Sequence, residues 1–342
     1  MAKTTIKGNQ IDLAKATAYA DLFDGQPRWD GTNLVVNQGG VDVIIGPNTA
    51  ALNGTFQWDA TRTTGISNAG LTTVTFGGTF TEYPVVVAVA EKGDAATNVL
   101  TIQDVTKTNF KVKSNSVSAH AVHWFACTAG VWLVNSNIIY AGHGSTGGEG
   151  GNINRRVSRV DFSRPFPRTP AVMSAYIALP DDNTVPNSYH TAYYDFPNAL
   201  GDLDAAVFGT VLEQNAAGTV ARGVGYVAIQ SSGAAQNGGG AFTSAGASTL
   251  KAAVPFESGF ARKSVAGTGP FTATFSAAFA AAPVVILGGA NADVQETSSI
   301  VTVNVTPLTT SFDFNNSGGT GVGMGWMAIK SGFDSTTARR LI

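Results

Sequence analysis

The sequence predicts an all-β protein of three tandem antiparallel sandwiches, preceded by a small N-terminal helix and strand segment. Three observations carry this prediction. The spacing F-x3-F-x3-P occurs three times, each copy leads into an apolar run, and each is followed at a distance by a second aromatic motif. Composition agrees, with 40 Gly and only 13% charged residues, about half the usual charged share and the signature of turn-rich β-structure.

The three copies read "VTFGGTFTEYPVVVAVA" from Val74, "VDFSRPFPRTPAVM" from Val160 and "ATFSAAFAAAPVVI" from Ala273. They align Phe76, Phe80 and Pro84 with Phe162, Phe166 and Pro170 and with Phe275, Phe279 and Pro283. Given the abundance of Phe and Pro, ~0.04 such matches are expected by chance. The second motif is "HWFACTAG", "GYVAIQSSG" and "GWMAIKSG", with Trp124, Tyr226 and Trp326 lying 40, 56 and 43 residues after the motif prolines. Constant order with variable spacing is how homologous repeats differ, because surface loops tolerate insertion.

One repeat begins with a strand that turns its first Phe inward and continues through a short turn to the second Phe. Proline then opens the next strand, where a missing N–H costs least. The runs "PVVVAVA", "PAVMSAYIAL" and "PVVILGG" are apolar on both pleat faces, which predicts central strands of a two-layer sandwich. Alternation then puts Phe110 and Val112 inward with Lys111 and Lys113 outward, and Phe312 and Phe314 inward in "SFDFNN". The aromatic motif closes the repeat.

This ordered set resembles the H-type lectin domain, found in invertebrate agglutinins and widespread in bacteriophage tail and virion proteins. The resemblance covers roughly 54–134, 135–235 and 250–335. It implies six-stranded antiparallel sandwiches, assembly as a homotrimer, and grooves between neighbouring subunits that take N-acetylgalactosamine-type sugars through an aromatic–His pair ahead of the closing strand. The corresponding stretches here are "KSNSVSAHAVHW", "EQNAAGTVARGVGY" and "NNSGGTGVGMGW". Only the first offers histidines, His120 and His123, and none adds an aromatic before the closing strand, so that pocket is not carried over.

Domain boundaries follow: 1–53 as an N-terminal attachment or oligomerisation segment, 54–134 as the first sandwich, 135–249 as the second plus a linker, and 250–342 as the third. Within 1–53, Ile11, Ala14, Ala18 and Leu22 recur at helical steps. Residues 32–48 read as two short strands around a Gly-Gly turn. The Gly/Ser-rich stretches 141–156 and 231–248 are linkers or, alternatively, edge strands with glycine bulges.

Other chemistries find little support. Twenty-one basic and 23 acidic residues give a net charge of −2, with no basic cluster beyond "NRRVSR", which argues against a nucleic-acid partner. The single cysteine, Cys127, leaves no intrachain disulfide and no cysteine zinc cage, and reads as a small buried hydrophobe. No N-terminal apolar h-region suggests export, and the longest apolar run carries Pro283, so membrane insertion is not expected. "GGTGVGMG" lacks the Lys-Ser/Thr of a phosphate cradle, "GHGSTGG" is not a nucleophile elbow, and no paired carboxylates or metal-ligating set stands out. The chain reads as a non-enzyme without cofactor.

The most individual stretch is the insertion "LPDDNTVPNSYHTAYYDFPNALGDLD" of the second repeat. It groups Asp181, Asp182, His190, Tyr193, Tyr194 and Asp195, together with Phe196. Rings flanked by carboxylates suit sugar stacking and hydroxyl binding, a protein contact, or plain cover of the sandwich. The expected role is a bacteriophage virion fibre or spike that adheres to host surface glycans, fixed to other virion proteins by its N-terminal segment. The alternatives are a purely structural virion protein, a free multidomain lectin, and a variant in which the three repeats form a pseudo-trimer within one chain.

Overall fold

The computed structural model describes residues 6–7, 10–11, 27–29, 34–38, 41–44, 53–91, 99–146, 155–162, 166, 170–178, 188–192, 207–213, 222–230, 243–251, 254–262, 270–290, 301–304, 306–316 and 323–341. Among these residues every regular element is a strand, as the composition predicts. Contacts divide the chain into two units, 1–54 and 55–342.

In the first unit, β1 (Ile6–Lys7) pairs with β2 (Gln10–Ile11), and β3 (Pro27–Trp29), β4 (Leu34–Gln38) and β5 (Val41–Ile44) form a three-stranded sheet. β4 and β5 pair antiparallel with Gln38 opposite Val41, as expected of the two strands, while the Gly-Gly turn between them lies outside the described residues. The helix expected from Gln10 onward is corrected at its start, because Gln10 and Ile11 are extended and paired. Its remaining positions lie outside the described residues.

In the second unit, three sets of six strands share one pairing scheme. The first set is β6 (Asn53–Ile66), β7 (Thr72–Thr75), β8 (Pro84–Ala90), β9 (Leu100–Gln103), β10 (Asn109–Ser114) and β11 (His120–Thr128). A further strand, β12 (Gly130–Val134), leads to the second set: β13 (Asn137–Thr146), β14 (Arg155–Asp161), β15 (Ala171–Ile177), β16 (Ser188–Ala192), β17 (Val207–Glu213) and β18 (Arg222–Gln230). β19 (Thr243–Lys251) leads to the third: β20 (Val254–Arg262), β21 (Phe271–Thr274), β22 (Val284–Ala290), β23 (Val301–Val303), β24 (Ser311–Asn316) and β25 (Gly323–Ile329). The last strand is β26 (Gly332–Leu341).

In every set the sixth strand lies between the first and the third, giving β6-β11-β8, β13-β18-β15 and β20-β25-β22. The fifth lies between the second and the fourth, giving β7-β10-β9, β14-β17-β16 and β21-β24-β23. All these pairs are antiparallel. The stretches read as linkers are partly strand: 141–146 belong to β13 and 243–248 to β19, whose register shift between Ser244 and Ala247 is the bulge the alternative reading anticipated.

The F-x3-F spacing now has a physical cause. Phe76 and Phe80 donate their N–H groups to the carbonyls of Thr108 and Lys107, each at 2.9 Å. Phe275 and Phe279 repeat this on Thr310 and Thr309, at 2.9 and 2.8 Å. Four residues of chain therefore wrap two consecutive carbonyls of the turn before the fifth strand. The rings meet edge to face at 5.0 Å in the first copy and 4.9 Å in the other two. In the first and third sets the first Phe also reaches Trp124 or Trp326, at 5.7 and 6.0 Å, joining ring pairs that add to their area burial. The inward-facing residues of β10 and β24 are those expected: Phe110, Val112, Phe312 and Phe314 are buried.

One expectation is corrected. The apolar third strands β8, β15 and β22 are not central in their own triplets, where the sixth strand is; β8 and β22 end their sheets. Their second apolar face is covered instead by the other sets. β8, β15 and β22 contact one another pairwise, and each also packs on a sixth strand of another set: β8 on β18, β15 on β25, β22 on β11. The fourth strands follow the same rotation, β9 meeting β15, β16 meeting β22 and β23 meeting β8. Parallel pairing between Thr101 and Tyr176 at the first of these joints returns as the Glu91–Val303 bridge at the third.

The flanking strands complete the cycle. β12 turns through Asn135 and Ser136, both at positive φ (44° and 68°), and pairs with β13; this is the hairpin turn whose twist suits two strands. β19 pairs with β20 in the same way, and β26 lies beside β6 and β12. Gly130 and Gly332 open β12 and β26 at φ of 120° and 123°, a conformation closed to other residues, and so send the chain out of its own set. These joints merge into an eleven-stranded sheet that curls into a half-barrel, beside smaller three- and four-stranded sheets.

Truncating Phe80 or Phe279 to Ala should cost ~3–5 kcal/mol, the usual range for buried Phe, read as a lowered denaturant midpoint with unchanged slope. An unchanged midpoint would contradict the packing of the motif.

Candidate functional site

Of the residues singled out in the insertion, the structure places only the backbone of His190, on β16 opposite Val211 of β17. Asp181, Asp182, Tyr193, Tyr194 and Asp195 lie outside the described residues, as does Phe196. Among the described residues no group of His, Cys, Asp and Glu is arranged to hold a metal ion. Cys127 is fully buried, and burial pushes its thiol far up.

The best-defined polar constellation sits where the first set meets the third. The Arg62 guanidinium, on β6, clamps Glu91 at the end of β8 through Nε to Oε1 at 2.6 Å and Nη2 to Oε2 at 2.9 Å. His123, on β11, places Nε2 2.9 Å from Glu91 Oε1. Its Nδ1 accepts the backbone N–H of Val285, on β22 of the third set, at 3.3 Å. An amide N–H can only donate, so Nδ1 is the unprotonated nitrogen and Nε2 carries the hydrogen that goes to Glu91. His123 is 1% exposed, and the Glu91 side chain 11%.

Burial alone would raise the Glu91 carboxyl, but hydrogen bonds from His123 and Arg62, and the positive charges both side chains carry in acid, overcome it and hold the group at about 2. A two-pronged guanidinium on a largely buried carboxylate is the strong form of this contact. Sequence reasoning named His123 but not its partners, Arg62 and Glu91. The available signal was an alignment of the closing motifs: "HW" stands where the other two repeats have "GY" and "GW".

Two further buried acids are structural. Asp59 Oδ2 accepts the Gly77 N–H at 2.7 Å, and Glu257 accepts the Ser276 N–H at 2.9 and 3.1 Å and its hydroxyl at 3.0 Å. Both acids lie opposite the alanine two residues past the closing Trp, so each fastens the turn that follows the first motif Phe. The second repeat has Tyr140 there, its ring 5.0 and 4.9 Å from Phe162 and Phe166. Burial raises the Asp59 carboxyl above its usual range, although Gly77 and Ala60 amides oppose this.

Glu91 titrates lower folded than unfolded, so its contribution is complete above pH 4.5 and is lost as pH falls towards 2. That contribution is on the order of 3 kcal/mol. Glu91→Gln should therefore flatten the stability profile between pH 4.5 and 2; acid titrations that superimpose with wild type would remove the cluster's assigned role.

The chain matches no protein-family model, no curated protein and no solved structure, so the chemistry of this site stands on its own residues.

Proposed function

We propose that residues 55–342 are three H-type-lectin-like sandwiches closed into a pseudo-trimer within one chain, serving as the adhesion module of a bacteriophage virion. The carrying observation is the rotation of contacts: each third strand packs on the sixth strand of another set, and the third set returns to the first. In the resembled family this meeting of three sandwiches is made by three subunits. Here the same number of motif copies lies on one chain, and their apolar third strands already cover one another. This favours the pseudo-trimer over a homotrimer of full chains.

The adhesive reading is supported by the resemblance of the motif copies. On this reading the N-terminal segment attaches the module to other virion proteins, and host surface glycans are the ligands. Weak sites repeated around one rigid body gain avidity through effective concentration. The rotation of contacts equally fits a purely structural virion protein, which needs the rigid body and no sugar site.

Light scattering on the full chain should give one chain per particle; three chains would return the assembly to a homotrimer. On a bacterial glycan array, binding that is lost in Tyr193→Ala/Tyr194→Ala would place the sugar site in the insertion of the second repeat. No glycan signal from correctly folded protein would leave the structural role.

A further inference from the structure

We infer that the joint between the first and third sets is an acid-sensitive latch, in which neutral His123 ties β22 to β11 and its protonation releases them. This joint differs from the other two in two independent ways. A two-residue turn links β12 to β13, and β19 leads directly into its partner β20, with Lys251 opposite Val254, but β26 and β6 lie side by side without a peptide connection. Polar contacts hold the closing strand: Ser331 Oγ donates to the Ala60 carbonyl at 3.0 Å, and Lys251 reaches Asp334 at 2.8 Å. The third-to-first joint is therefore the one place where the cycle can open without breaking a covalent link.

Among the described side chains, this joint also carries a titratable group against the neighbouring backbone. His123 occupies the position of Gly225 and Gly325, each one residue before the closing aromatic. At Gly225 the backbone of β8 comes so close that an added Cβ would lie 3.0 Å from the Val86 carbonyl. In the first set that space holds an imidazole, and Val285 N–H points at its bare nitrogen. A proton on Nδ1 would set two donors face to face.

The titratable groups on the elements packed here are these, with His190 on β16, which also meets β22. β6 brings Arg62, while its Asp59 is turned to Gly77. β8 brings Glu91. β11 also carries His120, whose Nδ1 lies 3.2 Å from the Ser118 carbonyl. β22 and β23 bring no titratable side chain. The inference rests on this packing and not on what the protein binds.

Three measurements on the full chain test it. Imidazole 15N NMR at pH 7.5 should show His123 protonated on Nε2 alone; a proton on Nδ1 overturns the latch. Hydrogen exchange at Val285, corrected for intrinsic rate, should lose protection progressively from pH 7.5 to 5.5. Amides of β8 and β15 at the other two joints should hold theirs. Unchanged Val285 protection, or equal loss at all three joints, would refute the proposal. His123→Gln, which can donate and accept without titrating, should remove the pH dependence, and a wild-type profile in that variant would also count against it. If the variant does not fold, the two wild-type measurements decide.

Discussion

The architecture depends on covering the second apolar face of β8, β15 and β22. Each pairs with a sixth strand of its own set, yet each is apolar on both sides of the pleat, and a three-strand sheet can satisfy only one of them. Apolar area left in water costs roughly 25 cal/mol per Å², so strands of this kind demand a second partner. They find it in one another. From that demand follow the rotation of contacts, the close backbone approaches that admit glycine at Gly225, and the single hydrophobic cluster that draws residues from all three sets.

A second constraint acts within each set. Two phenylalanines four residues apart give their amides to neighbouring carbonyls, so the spacing measures a turn and not a helix. The buried carboxylate of Asp59 or Glu257 fastens the same turn from the opposite strand. Tyr140 shows a different solution, in which ring contacts take the place of the acid. Burying an acid is costly unless it is hydrogen-bonded, and these acids are bonded to the backbone they order.

What the residues disclosed in advance was chiefly local. The Phe pair, the proline opening a strand, the alternation in "NFKVKS" and "SFDFNN" and the closing aromatic each depend on neighbours in sequence, and the structure places them as expected. The interior position of the third strands did not come out as expected, because apolarity on both faces has two causes: a central place in one sheet or contact between sheets of different repeats. Periodicity cannot separate them. The Arg62–Glu91–His123 cluster was hidden for a related reason. Its members lie on three strands, the backbone amide that donates to it is more than a hundred residues away, and no pattern along the chain links them. The acid at Asp59 was equally illegible, since the equivalent positions hold Asp, Tyr and Glu.

The replacement of one glycine in three by histidine has a further meaning. An assembly of identical chains must repeat every substitution around its axis, so a bulky or ionisable group tolerated at one joint has to be tolerated at all of them. A chain that carries its three copies in series is free of that rule. Each joint can differ separately, so that backbones approach closely at Gly225 while another joint carries an imidazole. Symmetry then persists in the backbone as an inheritance, while the side chains hold three different addresses.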